Sequence, residues 1–392
     1  LETDDLAVLT TANLQAMSTK QVAALTTDQI VALTTAQAYG LSTANVSALT
    51  SDQVIALETD VLTVLTTANV RAMTTAQLAA MTTDQLVTLS TAQLVAMGTA
   101  QTAALTTDQI VALTTEQALG LSTANANALT TAQLAVLETE DFAVLTTASL
   151  RALSTSQVGA LSTDQIVALT TAQVVGLSTA NVAALTTAQL AAMETDDVVV
   201  MTTANLRALS TAQIAVVTTE QVQALTTAQL NNLSTAQLLA LTTDQIVSLT
   251  TAQVLALTTT NANALSTAQI AALETDDIAE LTTANLRALS TAQIAAMTSD
   301  QVVALTTAQV LGLSAANAAA LTTAQIVAME TVDLVELTTE QVEAMRRQKR
   351  AMQGQAQTVE QFYAGKTINF IVPFSAGGGT DVAARIVLQK VG

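Results

Sequence analysis

An eight-residue period constrains this chain more than any other feature. It runs from Leu1 to Ala344 without one insertion or deletion, giving 43 consecutive octads in a chain of 392 residues. Leu-Thr-Thr-Ala-Gln-Ile-Val-Ala, at Leu321 to Ala328, is a representative unit. A chain of this length would ordinarily divide into two or three domains. A fixed short period overrides that expectation, because repeat arrays grow by stacking units and not by enlarging one core.

Numbered 1 to 8, the octad carries Leu or Met at position 1, Thr or Ser at 2, Thr at 3, Gln or Asn at 5, Ile, Leu or Val at 6, and Ala or Gly at 8. Positions 2 and 5 form Thr-x-x-Gln, the capping-box pattern, in which a hydroxyl accepts from the amide three residues on and the Gln side chain reaches back. Position 4 is then the second helical residue. Acids gather there (Asp28, Asp84, Asp108, Asp164, Asp244), where the positive end of a helix dipole favours them. The octad therefore predicts one helix of about six residues. One continuous helix is excluded by arithmetic: eight residues over two turns would need about 4.0 per turn against 3.6, and paired Thr disfavours a long helix. Helices this short are marginal alone and must be held by neighbours through positions 1, 6 and 8. Each cap contributes about 1 kcal/mol. Each buried Leu or Ile contributes roughly 1.5–3 kcal/mol. A parallel β-helix with Val-Ala-Leu-Thr-Thr as strand is the alternative. The Ala and Gln content and the scarcity of turn residues count against it.

The octads differ in an ordered way. Counted from 0, the acidic variant opens octads 0, 7, 17, 24, 34 and 41, at Leu1, Leu57, Leu137, Met193, Leu273 and Met329. Gly40, Gly120, Gly176 and Gly312 close octads 4, 14, 21 and 38. The gaps are 7, 10 and 17, all near multiples of 3.4 octads. The simplest cause is a spiral with about 3.4 octads per turn. The fold expected for 1–344 is thus an all-α solenoid of very short capped helices, with its acids in one stripe. Arg71, Arg151, Arg207 and Arg287 each follow an acidic octad and are expected beside that stripe.

Composition narrows function. The octads hold 29 acids and 5 bases; residues 345–392 hold 7 bases and 2 acids. So acidic an array repels nucleic acid and anionic membrane surfaces, and attracts cations or basic surfaces. Cys and His are absent, which removes disulfide, thiolate and imidazole chemistry. Mean hydropathy is +0.47, yet every octad interrupts its apolar residues with Thr and Gln. No run reaches the roughly 18 apolar residues of a membrane-spanning helix. The numbering opens on Leu1 inside the octad pattern, as a fragment would.

The acidic octads supply the candidate metal ligands: Glu2, Asp4 and Asp5; Glu194, Asp196 and Asp197; Glu274, Asp276 and Asp277. Calcium takes six to eight oxygens from a shaped loop. These trios lack the glycine of a calcium loop, so charge at a solvated helix start is the first reading and Ca²⁺ the second. Thr and Ser without a neighbouring base are caps and not nucleophiles. No catalytic residue and no cofactor is expected. Tyr39 and Phe142 read as local packing variants.

After Ala344 the run Arg346-Arg347-Gln348-Lys349-Arg350 reads as a solvated boundary or capping turn, and residues 345–361 as a basic, polar linker. Residues 362–392 change grammar again. Thr367 to Val372 is β-rich, Pro373 to Asp381 is a Gly-rich turn, and Val382 to Val387 starts a helix: a strand–turn–helix fragment of an α/β unit. Phe362-Tyr363-Ala364-Gly365-Lys366 followed by Ile371 to Arg385 resembles the mature N-terminus of tripartite tricarboxylate transporter substrate-binding proteins. That resemblance implies a periplasmic carboxylate receptor, with Phe374, Ser375, Gly377, Gly378 and Asp381 contributing to its ligand loop. The octads resemble Ala/Thr-rich octapeptide arrays of large, adhesin-like bacterial surface proteins. This second resemblance implies a non-catalytic spacer, stalk or adhesive rod at the cell surface. A fused or truncated periplasmic receptor is the alternative.

Overall fold

The computed structural model describes the backbone of residues 2–363 and the side chains of residues 2–351. Among them are 43 helices and no strand, so the helical solenoid is the fold and the β-helix is excluded over the described residues. Each octad but the last makes one helix of four to six residues that begins at position 3, such as Thr107–Val111. The chain stops being helical at position 1, where Leu89 is extended at φ −62°, ψ 130°. It stays extended through position 2, as at Ser90 with φ −65°, ψ 155°. That residue is the N-cap of the next helix. Its hydroxyl accepts the amide of position 5, as Thr106 does from Gln109 at 3.2 Å. The Gln109 side-chain oxygen accepts the Thr106 N–H in return at 2.8 Å. Both halves of the capping box are therefore present in most octads.

Positions 6 and 1 form the core. Ile110, Val54 and Leu134 at position 6 have no solvent exposure, and Leu113, Leu57 and Leu137 at position 1 are buried. Phe142 occupies a position-6 core site and is fully buried, whereas Tyr39, at position 7, is 68% exposed and packs nothing in. A helix packs on the third helix before it and the third after it: Thr107–Val111 lies between Thr83–Thr88 and Thr131–Val136. The array divides into two compact units, Leu1–Leu249 and Thr250–Gly392. The same third-neighbour packing occurs inside each of them.

The glycines at position 8 mark close approaches between turns. A Cβ on Gly176 would lie 1.8 Å from Thr147 Cγ2, and one on Gly120 would lie 2.0 Å from Thr91 Cγ2. In each pair the threonine is at position 3 of the octad three earlier, so the turn spacing leaves no room for even a methyl group.

The basic run differs from its reading as a capping turn. It lies inside a helix of 25 residues, Thr339–Tyr363, with Arg346, Arg347, Lys349 and Arg350 all exposed. The Leu-Thr-Thr stop is missing after Ala344, and Met, Arg, Gln and Ala are strong helix formers, so nothing ends the helix there. The strand–turn–helix read at 367–387 lies outside the described residues.

Candidate functional site

The chemistry of the array centres on position 5. Gln109 is 1% exposed, and its amide nitrogen donates to the Leu78 and Met81 carbonyls, both at 2.8 Å. These acceptors lie 31 and 28 residues earlier, at the C-terminal end of a helix one turn away. Helix C-termini carry carbonyls without intrahelical partners. One Gln thus caps its own helix N-terminus with its oxygen and another helix's C-terminus with its nitrogen. The pattern recurs throughout: Gln53 donates to Val22 and Leu25, Gln165 to Leu134 and Leu137, and Gln325 to Ile294 and Met297. An amide reaching back 28 to 31 residues, with helices packing at the third neighbour, puts one spiral turn between three and four octads.

Asn at position 5 is one methylene shorter. Asn69 and Asn181 make a single tie, to Leu41 at 2.9 Å and to Leu153 at 3.0 Å. Asn317 still reaches two carbonyls, at 3.0 and 3.2 Å.

In five of the six acidic octads an Asp stands at position 5 (Val61 takes it in the octad of Leu57), and Asp141, Asp197 and Asp277 are each 3% exposed. A carboxylate has no proton to donate, so it cannot repeat the Gln tie. Asp333 instead accepts from the Thr307 hydroxyl, 26 residues earlier, at 2.9 Å, and the Thr115 and Thr251 hydroxyls bond Asp141 and Asp277 in the same way. Burial raises the pKa of Asp197 to about 6, and the charges of Glu194 and Asp196 push the same way. Burial is also the main cause of the raised pKa of Asp141, opposed by the Thr115 hydroxyl. For Asp277 burial again leads, with Glu274 adding to it and the Thr251 hydroxyl opposing it. Glu at position 2 of these octads (Glu58, Glu138, Glu194, Glu274, Glu330) makes no side-chain cap.

This geometry separates the calcium candidates. Asp197 and Asp277 turn into the core, while Glu194, Asp196, Glu274 and Asp276 face solvent. Glu2, Asp4 and Asp5 are all exposed, and Asp5 accepts the Glu2 N–H at 3.1 Å. Among the described residues no group of three or more acidic side chains is placed to hold a metal ion. Within the array the physical reason is the octad itself, which sends position 5 of the Asp197 and Asp277 trios inward and positions 2 and 4 outward.

Position 7 is exposed in most octads. Every exposed large apolar residue from Val31 to Val327 sits there, including Val87, Val111, Leu119 and Val167. The four octad arginines, Arg71, Arg151, Arg207 and Arg287, also occupy position 7 and are exposed. A cleft of about 460 Å³ lies beside the long C-terminal helix, lined by Thr291, Ala295, Ala320, Ile326, Met345 and Lys349, with Lys349 the one titratable group among the described residues that line it. Phe374, Ser375, Gly377, Gly378 and Asp381 lie outside the described residues. No helix among the described residues is long and apolar enough to cross a membrane.

Sequence reasoning missed the second half of the Gln amide. The signal was present: a capping box needs only the oxygen, yet Gln far outnumbers Glu at position 5. Glu would cap equally well but could not donate. Comparison with known families finds the ALTTAQ repeat in nine stretches, together spanning residues 1–115, 134–251 and 270–307. No curated protein and no solved structure matches the chain.

Proposed function

The chain belongs to the ALTTAQ repeat family, and we infer for it a structural role: an elongated spacer, stalk or adhesive rod at a bacterial cell surface, without catalysis. The observation that carries this reading is the tie at position 5. Most octads contribute one capped helix and one amide pair to the turn before them, and the unit repeats with no insertion. Such an array gains length by adding octads, since each contacts only its neighbours. Its outward positions 4 and 7 are free to vary without disturbing the ties. That freedom suits a scaffold that displays a surface, and the acidic stripe would face cations or basic surfaces. A stalk of this kind works outside the cell; a periplasmic setting is the alternative, implied by the resemblance of residues 362–392.

Small-angle scattering tests the reading. A compact globule of this length has a radius of gyration of about 21 Å. About 13 turns at a helix-packing spacing of roughly 8–10 Å make a rod about 100–130 Å long, so a spacer is expected to exceed the compact value by about half and to show rod-like scattering at intermediate angles. A value near the compact one would contradict the proposal.

A further inference from the structure

Outside the acidic octads, an acid at position 4 coincides with an exposed aliphatic residue at position 7 in most instances. Asp84 is paired with Val87, Asp108 with Val111, and Asp164 with Val167. Residues three apart on a helix share a face. Each such helix therefore presents one carboxylate and one aliphatic side chain together, both to solvent. The helices Thr83–Thr88 and Thr107–Val111 pack directly on one another, so two of these pairs stack. Thr163–Val167 lies seven octads beyond the second, about two spiral turns on, and returns to the same side. The result is a ridge of aliphatic groups flanked by carboxylates on the first unit, Leu1–Leu249.

A carboxylate beside an aliphatic surface suits a long basic side chain, whose stem covers apolar area while its head pairs with the acid. The same chain carries such a partner. Arg346, Arg347, Lys349 and Arg350 are exposed on the helix Thr339–Tyr363, next to the half-buried Met345. We propose that this basic segment of one copy docks on the acid–aliphatic ridge of a second copy, so that chains associate head to tail. The charges are complementary, with 29 acids in the octads against 5 bases, and four bases within five residues in the segment. Like faces repel, so ridge-to-ridge pairing is disfavoured and the contact has a direction. The proposal goes beyond the structural role, and its failure would leave that role standing.

Sedimentation velocity on the full chain tests it, at about 20 mM and about 500 mM salt, because exposed ion pairs are screened at high salt. Concentration-dependent association at low salt and a monomer at high salt are expected. Reversing the segment (R346E, R347E, K349E, R350E) should leave a monomer at both. Replacing the ridge valines (V87S, V111S, V167S) should weaken association by about tenfold or more. A mixture of these two variants should regain one contact per pair of chains, since one keeps its ridge and the other its segment. Reversing Arg71, Arg151 and Arg207 should change nothing. A monomer at low salt, association that survives the segment reversal, or no recovery on mixing would each overturn the proposal. Unchanged circular dichroism establishes that each variant is folded.

Discussion

Position 5 is held by Gln, Asn or Asp in every octad but those of Val61 and Ser149; Asn is one methylene shorter than Gln, and Asp has an oxygen in place of the Asn amide nitrogen. Gln accepts from its own cap and donates across the turn. Asn does the same with shorter reach, and Asp can only accept. At Asp197 this has a consequence for pH. Its folded pKa, about 6, lies above the ordinary 3.8, so the folded chain holds the proton more tightly than the unfolded one. The associated stability is fully present below about pH 4 and is lost as pH rises through about 6. Asp141 and Asp277 shift in the same direction. The urea midpoint should therefore fall between pH 4 and pH 7, opposite to the usual behaviour of a salt-bridged carboxylate. Asp197→Asn should remove part of that fall and, at neutral pH, stabilise the chain by about 1 kcal/mol through a restored tie. A pH dependence unchanged by the substitution would count against the buried carboxylate as its source. The cap was legible in the sequence because its two partners lie three residues apart. The tie was harder to see: the choice of Gln over Glu signalled a donor, but its partners lie 28 to 31 residues away.

For a single helix, the octad prescribes almost everything: the cap at 2, the acid at 4, the core residue at 6 and the stop at the next Leu-Thr-Thr. The basic segment shows the rule by exception, for once the stop is missing the helix continues to Tyr363. Charge density suggested a boundary there, but charge does not end a helix; the loss of Thr-Thr would have been the better guide. Glycine at position 8 is set by packing between helices. Gly176→Ala would drive a methyl into Thr147 and should cost about 1–3 kcal/mol, with Thr147→Ala in the same chain returning much of it. Gly159 is an exposed helical glycine whose added Cβ would meet nothing closer than 3.7 Å. Gly159→Ala should stabilise by about 0.5–1 kcal/mol. Thermal unfolding of the two variants side by side separates a packing glycine from a permissive one, and equal effects would refute the distinction.

For the molecule as a whole, the order in the octad variants carried the spiral. Gaps of 7, 10 and 17 octads required a turn between three and four octads, and the third-neighbour packing and the amide reach agree with it. The calcium trios were not legible in the same way. Clustering along the sequence said nothing of the alternation that buries Asp197 and exposes Asp196. The aliphatic ridge was overlooked because Val at position 7 looks like core until positions 5, 6 and 1 are seen to fill it. The account as a whole rests on the buried amide that joins one turn to the next. Urea unfolding of Gln109→Ala beside Asp108→Ala, on the same helix, tests it most directly. Loss of the Gln109 amide removes two hydrogen bonds to carbonyls and one to the cap, and should cost about 2–3 kcal/mol. Loss of the exposed Asp108 should cost no more than about 1 kcal/mol. Equal, small effects from both substitutions would contradict the claim that these amides hold the solenoid together.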